Sequence, residues 1–259
     1  MARPAHRVPV TSVHHYSDSY FKFRVNRPEG LRFSSGQFIM VGLTKEDGSP
    51  VMRAYSIACP YWDEELEFYS IVVPDGELTS RLCKVQTGSE ILLSEKAVGT
   101  LTLAGLKPGG KRLYLLSTGT GIAPFASVIR DDQTYEQFDE VILTHTCRRV
   151  EDLSYGYDIV LAAKACPLVG EQASAKLRHY PSVTREPFET EGRITTLLES
   201  GQLFDDLGLP GLDPEEDRVM ICGSLEMLHD LQVIVEGAGL GRGTPRSAGE
   251  YVWEKAFTG

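Results

Sequence analysis

No run in this chain approaches the roughly 18 consecutive apolar residues that a membrane-spanning helix requires. The first ten residues carry basic side chains without an apolar core, so no secretory leader is expected either. Cysteine is sparse and scattered: Cys59, Cys83, Cys147, Cys166 and Cys222 are odd in number and match no zinc or iron–sulfur spacing. They read as free thiols in a reducing compartment, with the cytoplasm as the expected location. The six histidines (His6, His14, His15, His145, His179, His229) form no ligand spacing, and no metal is expected. Basic charge is in deficit, with a formal net charge of −10, which argues against non-specific nucleic-acid binding.

What is present suits two globular domains. With 259 residues, 42% hydrophobic and 24% charged, the chain can bury two cores. The excess acid is confined to one part: residues 1–107 carry 12 basic and 12 acidic side chains, whereas residues 108–259 carry 14 and 24. Between Met1 and Ser34, Arg3, Arg7, Lys22, Arg24, Arg27 and Arg32 face only Asp18 and Glu29. Such a stretch either steers an acidic partner or is a solvated strand surface.

Short alternating runs predict strands over Val8–His14, Tyr20–Val25, Gln37–Leu43, Met52–Ala58, Leu66–Val72 and Glu90–Leu93, with one helix near Leu78–Val85. Strands of this length and spacing suggest a closed or nearly closed antiparallel barrel. Pro108-Gly109-Gly110 marks a boundary. Beyond it, strands at Arg112–Ser117, Glu140–Thr146, Leu177–Pro181, Arg218–Cys222 and Tyr251–Phe257 alternate with helices near Pro124–Ile129, Val150–Lys164, Arg193–Glu199 and Glu226–Glu236. Near-continuous apolar strands between helices predict a parallel sheet covered on both faces, whose ligands bind beyond the C-terminal strand ends.

Four stretches carry candidate chemistry. Arg53-Ala54-Tyr55-Ser56 places a guanidinium fork, an aromatic ring and a hydroxyl on one strand, suited to a phosphate and a flat ligand, although a lone arginine there is more often a solvated or ion-paired side chain. Leu115-Leu116-Ser117-Thr118-Gly119-Thr120-Gly121-Ile122-Ala123-Pro124 is a strand, a small-residue loop and a helix start, lacking the third glycine of a dinucleotide fingerprint. Val219-Met220-Ile221-Cys222-Gly223-Ser224 ends a strand in small residues. From spacing alone Cys222 reads as a small core residue, with no base nearby in sequence to activate it. The fourth is Val252-Trp253-Glu254-Lys255-Ala256-Phe257. Two further features belong beside these. Gly76-Glu77-Leu78-Thr79-Ser80 opens a helix whose free N–H groups suit phosphate, and Arg148, Arg149, Arg185 and Arg193 fall at or near strand ends.

Together these stretches resemble the ferredoxin–NADP reductase family, in detail the bacterial ferredoxin (flavodoxin) reductases that end in an Ala-Phe tail. The resemblance spans essentially the whole chain from about Val8. It implies an antiparallel β-barrel FAD domain, residues 1–107, followed by an α/β parallel-sheet NADP-binding domain, residues 108–259, whose tail returns to the flavin. By the resemblance, FAD is held by Arg53, Ala54, Tyr55, Ser56, Tyr69, Ser70, Ile71, Val72, Gly76, Leu78, Thr79, Ser80, Thr118, Thr120, Ala256 and Phe257. NADP is held by Gly119, Gly121, Arg148, Arg149, Thr184, Arg185, Arg193, Cys222, Gly223 and Ser224. Ser56, Cys222 and Glu254 are the implied catalytic residues. Ala256 stands where many plant-type relatives stack a tyrosine on the flavin, which implies easier access to the flavin face.

Two departures stand out: Cys59 occurs where related chains commonly have serine, and Ser94-Glu95-Lys96-Ala97 lacks the usual basic and proline residues, the second of which touches the expected FAD-adenine binding. The implied activity is hydride transfer from NADPH to FAD with single-electron delivery to ferredoxin or flavodoxin, by a monomer. A reductase of free flavins, ferric chelates or quinones, or an electron-transfer subunit of a larger complex, remain as alternatives.

Overall fold

The computed structural model describes residues 5–256. In the first part six strands form one antiparallel sheet: β1 (His6–His15), β2 (Tyr20–Asn26), β3 (Phe38–Thr44), β4 (Pro50–Ser56), β5 (Glu65–Ile71) and β6 (Glu90–Leu93). Their order is β4-β3-β6-β1-β2-β5. The alternation is visible in β2, where Phe21, Phe23 and Val25 point inward and Tyr20, Lys22 and Arg24 are less buried. The inward rows pack into a core with Ile39, Val41, Tyr55, Phe68 and Leu78. The seam between the edge strands is drawn together by a hydrogen bond from the Ala58 N–H to the Glu67 carbonyl (2.9 Å), so the sheet curls nearly shut. The helix here, α1, covers only Thr79–Leu82, shorter than the predicted Leu78–Val85.

The second part is a five-stranded, fully parallel sheet of β7 (Arg112–Thr118), β8 (Glu140–Cys147), β9 (Leu177–Val183), β10 (Asp217–Gly223) and β11 (Tyr251–Lys255), in the order β11-β10-β7-β8-β9. Every residue of β10 is buried, as a strand covered on both faces demands. The covering helices are α2 (Ala123–Val128), α3 (Asp132–Gln137), α4 (Ser154–Lys164), α5 (Gly170–Lys176), α6 (Ile194–Glu199), α7 (Gln202–Leu207) and α8 (Leu225–Gly237). Sequence reading passes over α3, α5 and α7, each six or seven residues long. The tail strand ends at Lys255 rather than Phe257, and Phe257 lies outside the described residues.

Two contacts fix how the halves meet. Tyr155 of α4 is fully buried, its ring stacked on Tyr69 of β5 at 3.9 Å and 12°, and its hydroxyl donates to Glu67 Oε1 at 3.0 Å. Near the Pro108 boundary, the buried Arg218 donates to the carbonyls of Lys107, Pro108, Pro214 and Asp217 at 2.7–3.1 Å. A buried guanidinium is tolerated when its N–H groups find acceptors, and this one ties the segment between the sheets to β10.

Candidate functional site

β4 and β5 bring the first set of predicted residues together. Ala54, Tyr55, Ser56, Tyr69, Ser70 and Ile71 line one cavity with Thr79, Thr120, Ala123 and Ala256. Tyr55 is buried, and its hydroxyl shares a hydrogen bond with the Ser70 hydroxyl at 3.0 Å, locking the ring's tilt. The buried Tyr69 hydroxyl has no hydrogen-bond partner among the described residues. Such an orphan beside a cavity is completed by a polar ligand, and the aromatic walls suit a flat ring system such as a flavin.

The phosphate end is only partly prepared. Arg53 donates to its neighbour's carbonyl at Met52 (2.9 Å) and pairs with Glu77 at 3.4 Å. Gly76 admits no side chain, since a Cβ would lie 2.3 Å from Thr79 Oγ1. That hydroxyl accepts from the Val73 N–H at 3.2 Å, and the Ser80 hydroxyl donates to the Gly76 carbonyl at 2.7 Å. The Leu78 side chain belongs to the barrel core, which leaves only its backbone to a ligand. Val72 lines a separate depression with Tyr16 and Cys83.

A second cavity of about 670 Å³ opens at the C-terminal ends of the parallel strands, a volume in the range of organic cofactor sites. It is lined by Thr118, Gly119, Thr120, Arg148, Thr184, Arg185, Arg193, Ser224 and Ala256 among the predicted residues. Among the described residues Arg148 and Arg185 form no ion pair, leaving both forks available for an anion. Arg185 is placed by its backbone N–H, which donates to the Arg148 carbonyl at 3.1 Å. The Ser224 hydroxyl caps α8 by accepting from the Met227 N–H at 3.3 Å.

Several predicted residues stand back from the cavity walls. Arg149 points away, two-thirds exposed, and pairs with Glu151 at 3.6 Å. Gly121 supports the loop from below: a Cβ there would lie 2.1 Å from the Cys222 carbonyl oxygen. Gly223 does the same beside Thr118 Oγ1, at 2.5 Å from its would-be Cβ. Cys222 is buried in the apolar cluster against which Ala256 packs, and burial pushes its thiol up. A neutral thiol is a poor nucleophile, in keeping with a packing role.

Glu254 lies beside Gly99, 3.3 Å from the position of a Cβ, and burial raises its carboxyl to about 7. Ordinary glutamate in the unfolded chain titrates near 4.5. The folded form therefore holds the proton more tightly, and stability contributed at low pH is lost as pH rises through about 7. Glu254→Gln is expected to match the native protein at pH 4.5 and to exceed it at pH 8 by on the order of 2–3 kcal/mol. Thermal melts of both proteins across this range read the difference. A gap independent of pH would contradict a buried carboxyl as the cause.

Other residues at the site carried no local signal. Tyr20 stacks on Tyr69 at 5.7 Å and 16° and lines the larger cavity. His145 is fully buried, and burial lowers it to about 3, so its ring is neutral. Its Nε2 lies 3.1 Å from the Gly119 carbonyl, which can only accept, so Nε2 carries the proton and steadies the loop. Glu226 and Asp230 of α8 also line the cavity.

The predicted basic face near the N-terminus is largely neutralised. Arg7 pairs with Glu90, and Arg24 pairs with Asp63 and Glu65. Arg27 donates to the carbonyls of Leu31, Tyr61 and Asp63. Except for the Leu31 carbonyl, four residues on from Arg27, the acids and carbonyls come from β5, β6 and the loop before β5, distant in sequence; Arg3 lies outside the described residues.

Comparison with known proteins adds three findings. Residues 8–98 match the family described as "Oxidoreductase FAD-binding domain", and residues 115–232 match "Oxidoreductase NAD-binding domain". The chain is 54% identical over 250 residues to a flavodoxin/ferredoxin–NADP reductase of Rhodobacter capsulatus, covering 96% of this chain and 92% of that one. It is 51% identical to a ferredoxin–NADP reductase of Pseudomonas aeruginosa, covering 96% of each. A solved structure of a ferredoxin NADP+ reductase from Neisseria gonorrhoeae with bound FAD and NADP superposes with a TM-score of 0.87 at 30% identity, covering 97% of this chain and 98% of that one.

Proposed function

Because the chain belongs to the ferredoxin–NADP reductase family, we propose that it exchanges electrons between NADPH and a ferredoxin or flavodoxin through FAD. The observation that carries this reading is the meeting of the two cavities at Ile71, Thr120 and Ala256. A flat ligand in the first and a dinucleotide in the second would touch there.

The residues divide the work. Tyr55, Ser56, Tyr69 and Ser70 would hold the ring of FAD, and Arg53 would be free to leave Glu77 for its phosphate. Arg148, Thr184, Arg185 and Arg193 would hold the 2′-phosphate that separates NADP from NAD. Bound FAD supplies the conversion between an electron pair and single electrons, which nicotinamide alone cannot perform. The chain's part is positioning: small residues at Gly119, Thr120 and Ala256 let the two rings approach, and buried walls exclude water. Glu254, holding its proton near neutrality, is placed to supply or take one behind Gly99.

We assign residues 1–107 to the FAD unit and 108–259 to the NADP unit, acting as a monomer in the cytoplasm. The test is an anaerobic visible spectrum titrated with NADPH and, separately, NADH. Yellow absorbance bleached efficiently by NADPH and poorly by NADH is the expected result. A colourless protein that takes up no added FAD would overturn the reading.

A further inference from the structure

Three arginines line the larger cavity, yet they are not in the same state. Among the described residues Arg148 and Arg185 form no ion pair, whereas Arg193 Nη1 lies 3.5 Å from Glu226 Oε1. The two partners come from separate elements. Arg193 sits immediately before α6, where its carbonyl accepts the Leu197 N–H at 3.0 Å, so the backbone is fixed and only the side chain can swing. Glu226 lies in the first turn of α8 on the facing wall, with Asp230 one turn further along the same helix and lining the same cavity. A cavity suited to a phosphate ester thus carries two carboxylates across from its arginines.

The strength of the Arg193–Glu226 pair decides what it can do. Both side chains are about three-quarters exposed, at 70% and 76%. An ion pair this open is screened by water and salt and contributes little to folding. It is therefore an exchangeable contact rather than a structural one. A phosphate monoester carries close to two negative charges and offers oxygens for a bidentate fork, so it displaces a single carboxylate from the guanidinium. The displaced carboxylate remains beside the bound dianion and repels it.

Resting on the NADP reading above, we infer that Glu226 is a specificity-determining residue: it holds Arg193 when no 2′-phosphate is present and weakens binding of the phosphorylated cofactor when one is. Glu226 lowers affinity for NADP(H) without touching affinity for the unphosphorylated cofactor. The arginines supply the preference for the 2′-phosphate and Glu226 limits it, which keeps the product from being retained.

The experiment is calorimetric titration of the FAD-loaded protein with 2′,5′-ADP and with 5′-AMP, for the native chain, Glu226→Gln and the control Glu151→Gln. The control removes the same charge from a residue that pairs with Arg149 off the cavity wall. Glu226→Gln is expected to tighten 2′,5′-ADP about threefold to tenfold at low salt and to leave 5′-AMP within about twofold. The gain should shrink as ionic strength rises. The control should move neither ligand. Equal tightening of both ligands, no tightening, or the same gain in the control would overturn the inference. A native protein that binds 2′,5′-ADP no better than 5′-AMP would instead remove the NADP reading on which it rests.

Discussion

Replacing Arg148 and Arg185 together by alanine is expected to raise KM for NADPH at least about a hundredfold while leaving KM for NADH within about threefold. Each arginine lines the dinucleotide cavity, and neither forms an ion pair among the described residues. A hydrogen bond to a charged group contributes about 1.5–3 kcal/mol, so losing two amounts to roughly 3–6 kcal/mol of binding. The remaining Arg193 offers a single fork, opposed by Glu226 beside it, and does not make up the loss of two. Both side chains are exposed and end in solvent, so the fold and the FAD content should be unchanged. Steady-state kinetics with the two nicotinamide cofactors decide the point: a parallel loss with NADH would mean that these arginines hold the pyrophosphate common to both.

The second large effect concerns space rather than charge. Gly121→Ala is expected to destabilise the protein by about 3 kcal/mol and to reduce cofactor binding together with it. The new Cβ would lie 2.1 Å from the Cys222 carbonyl oxygen and 2.6 Å from its carbon, both backbone atoms of β10, a fully buried strand held between β7 and β11. Neither can move without opening the ladder between β7 and β10, in which Cys222 pairs with Ser117. The loop must shift instead, and it carries Gly119 and Thr120 on the cavity wall. Thermal melts should show a fall of roughly 6–12 °C in Tm, and the isolated protein should retain less than its full complement of FAD. Glycine here is needed for close approach and not for an unusual backbone angle, because Gly121 is not among the glycines of positive φ. A variant with native Tm and native FAD content would show that the loop can be displaced freely.

The two effects have different visibility in the sequence. The loop Thr118-Gly119-Thr120-Gly121 is legible because small residues between an apolar strand and a helix imply close approach of something. Only the structure shows that Gly119 and Thr120 meet the cavity while Gly121 meets β10. The arginines are harder to sort. Arg148 and Arg149 are neighbours with the same chemistry, yet one lines the cavity and the other pairs with Glu151 outside it. A change of one position past a strand end turns a side chain to a different wall, and no local pattern encodes which wall holds the ligand.

What the sequence by itself determined is the pair of sheets and the order of their strands along the chain. Period-two alternation in β2 and unbroken apolar runs in β7 and β10 report whether one face or both are buried, and that is a local property. The motif residues on β4 and β5 each keep one face by the same alternation, but they converge only because the two edge strands are brought together as the sheet curls. Tertiary structure alone decided which charges remain free. Lys22, Arg24 and Arg130 gather around the buried Glu67, and Arg218 is consumed by four carbonyls near the Pro108 boundary. It also set Tyr155 against Tyr69 and Glu226 against Arg193. Coulomb and hydrogen-bond energies depend on distances of a few ångströms between residues far apart in the chain, and those distances exist only once the two sheets have been brought together.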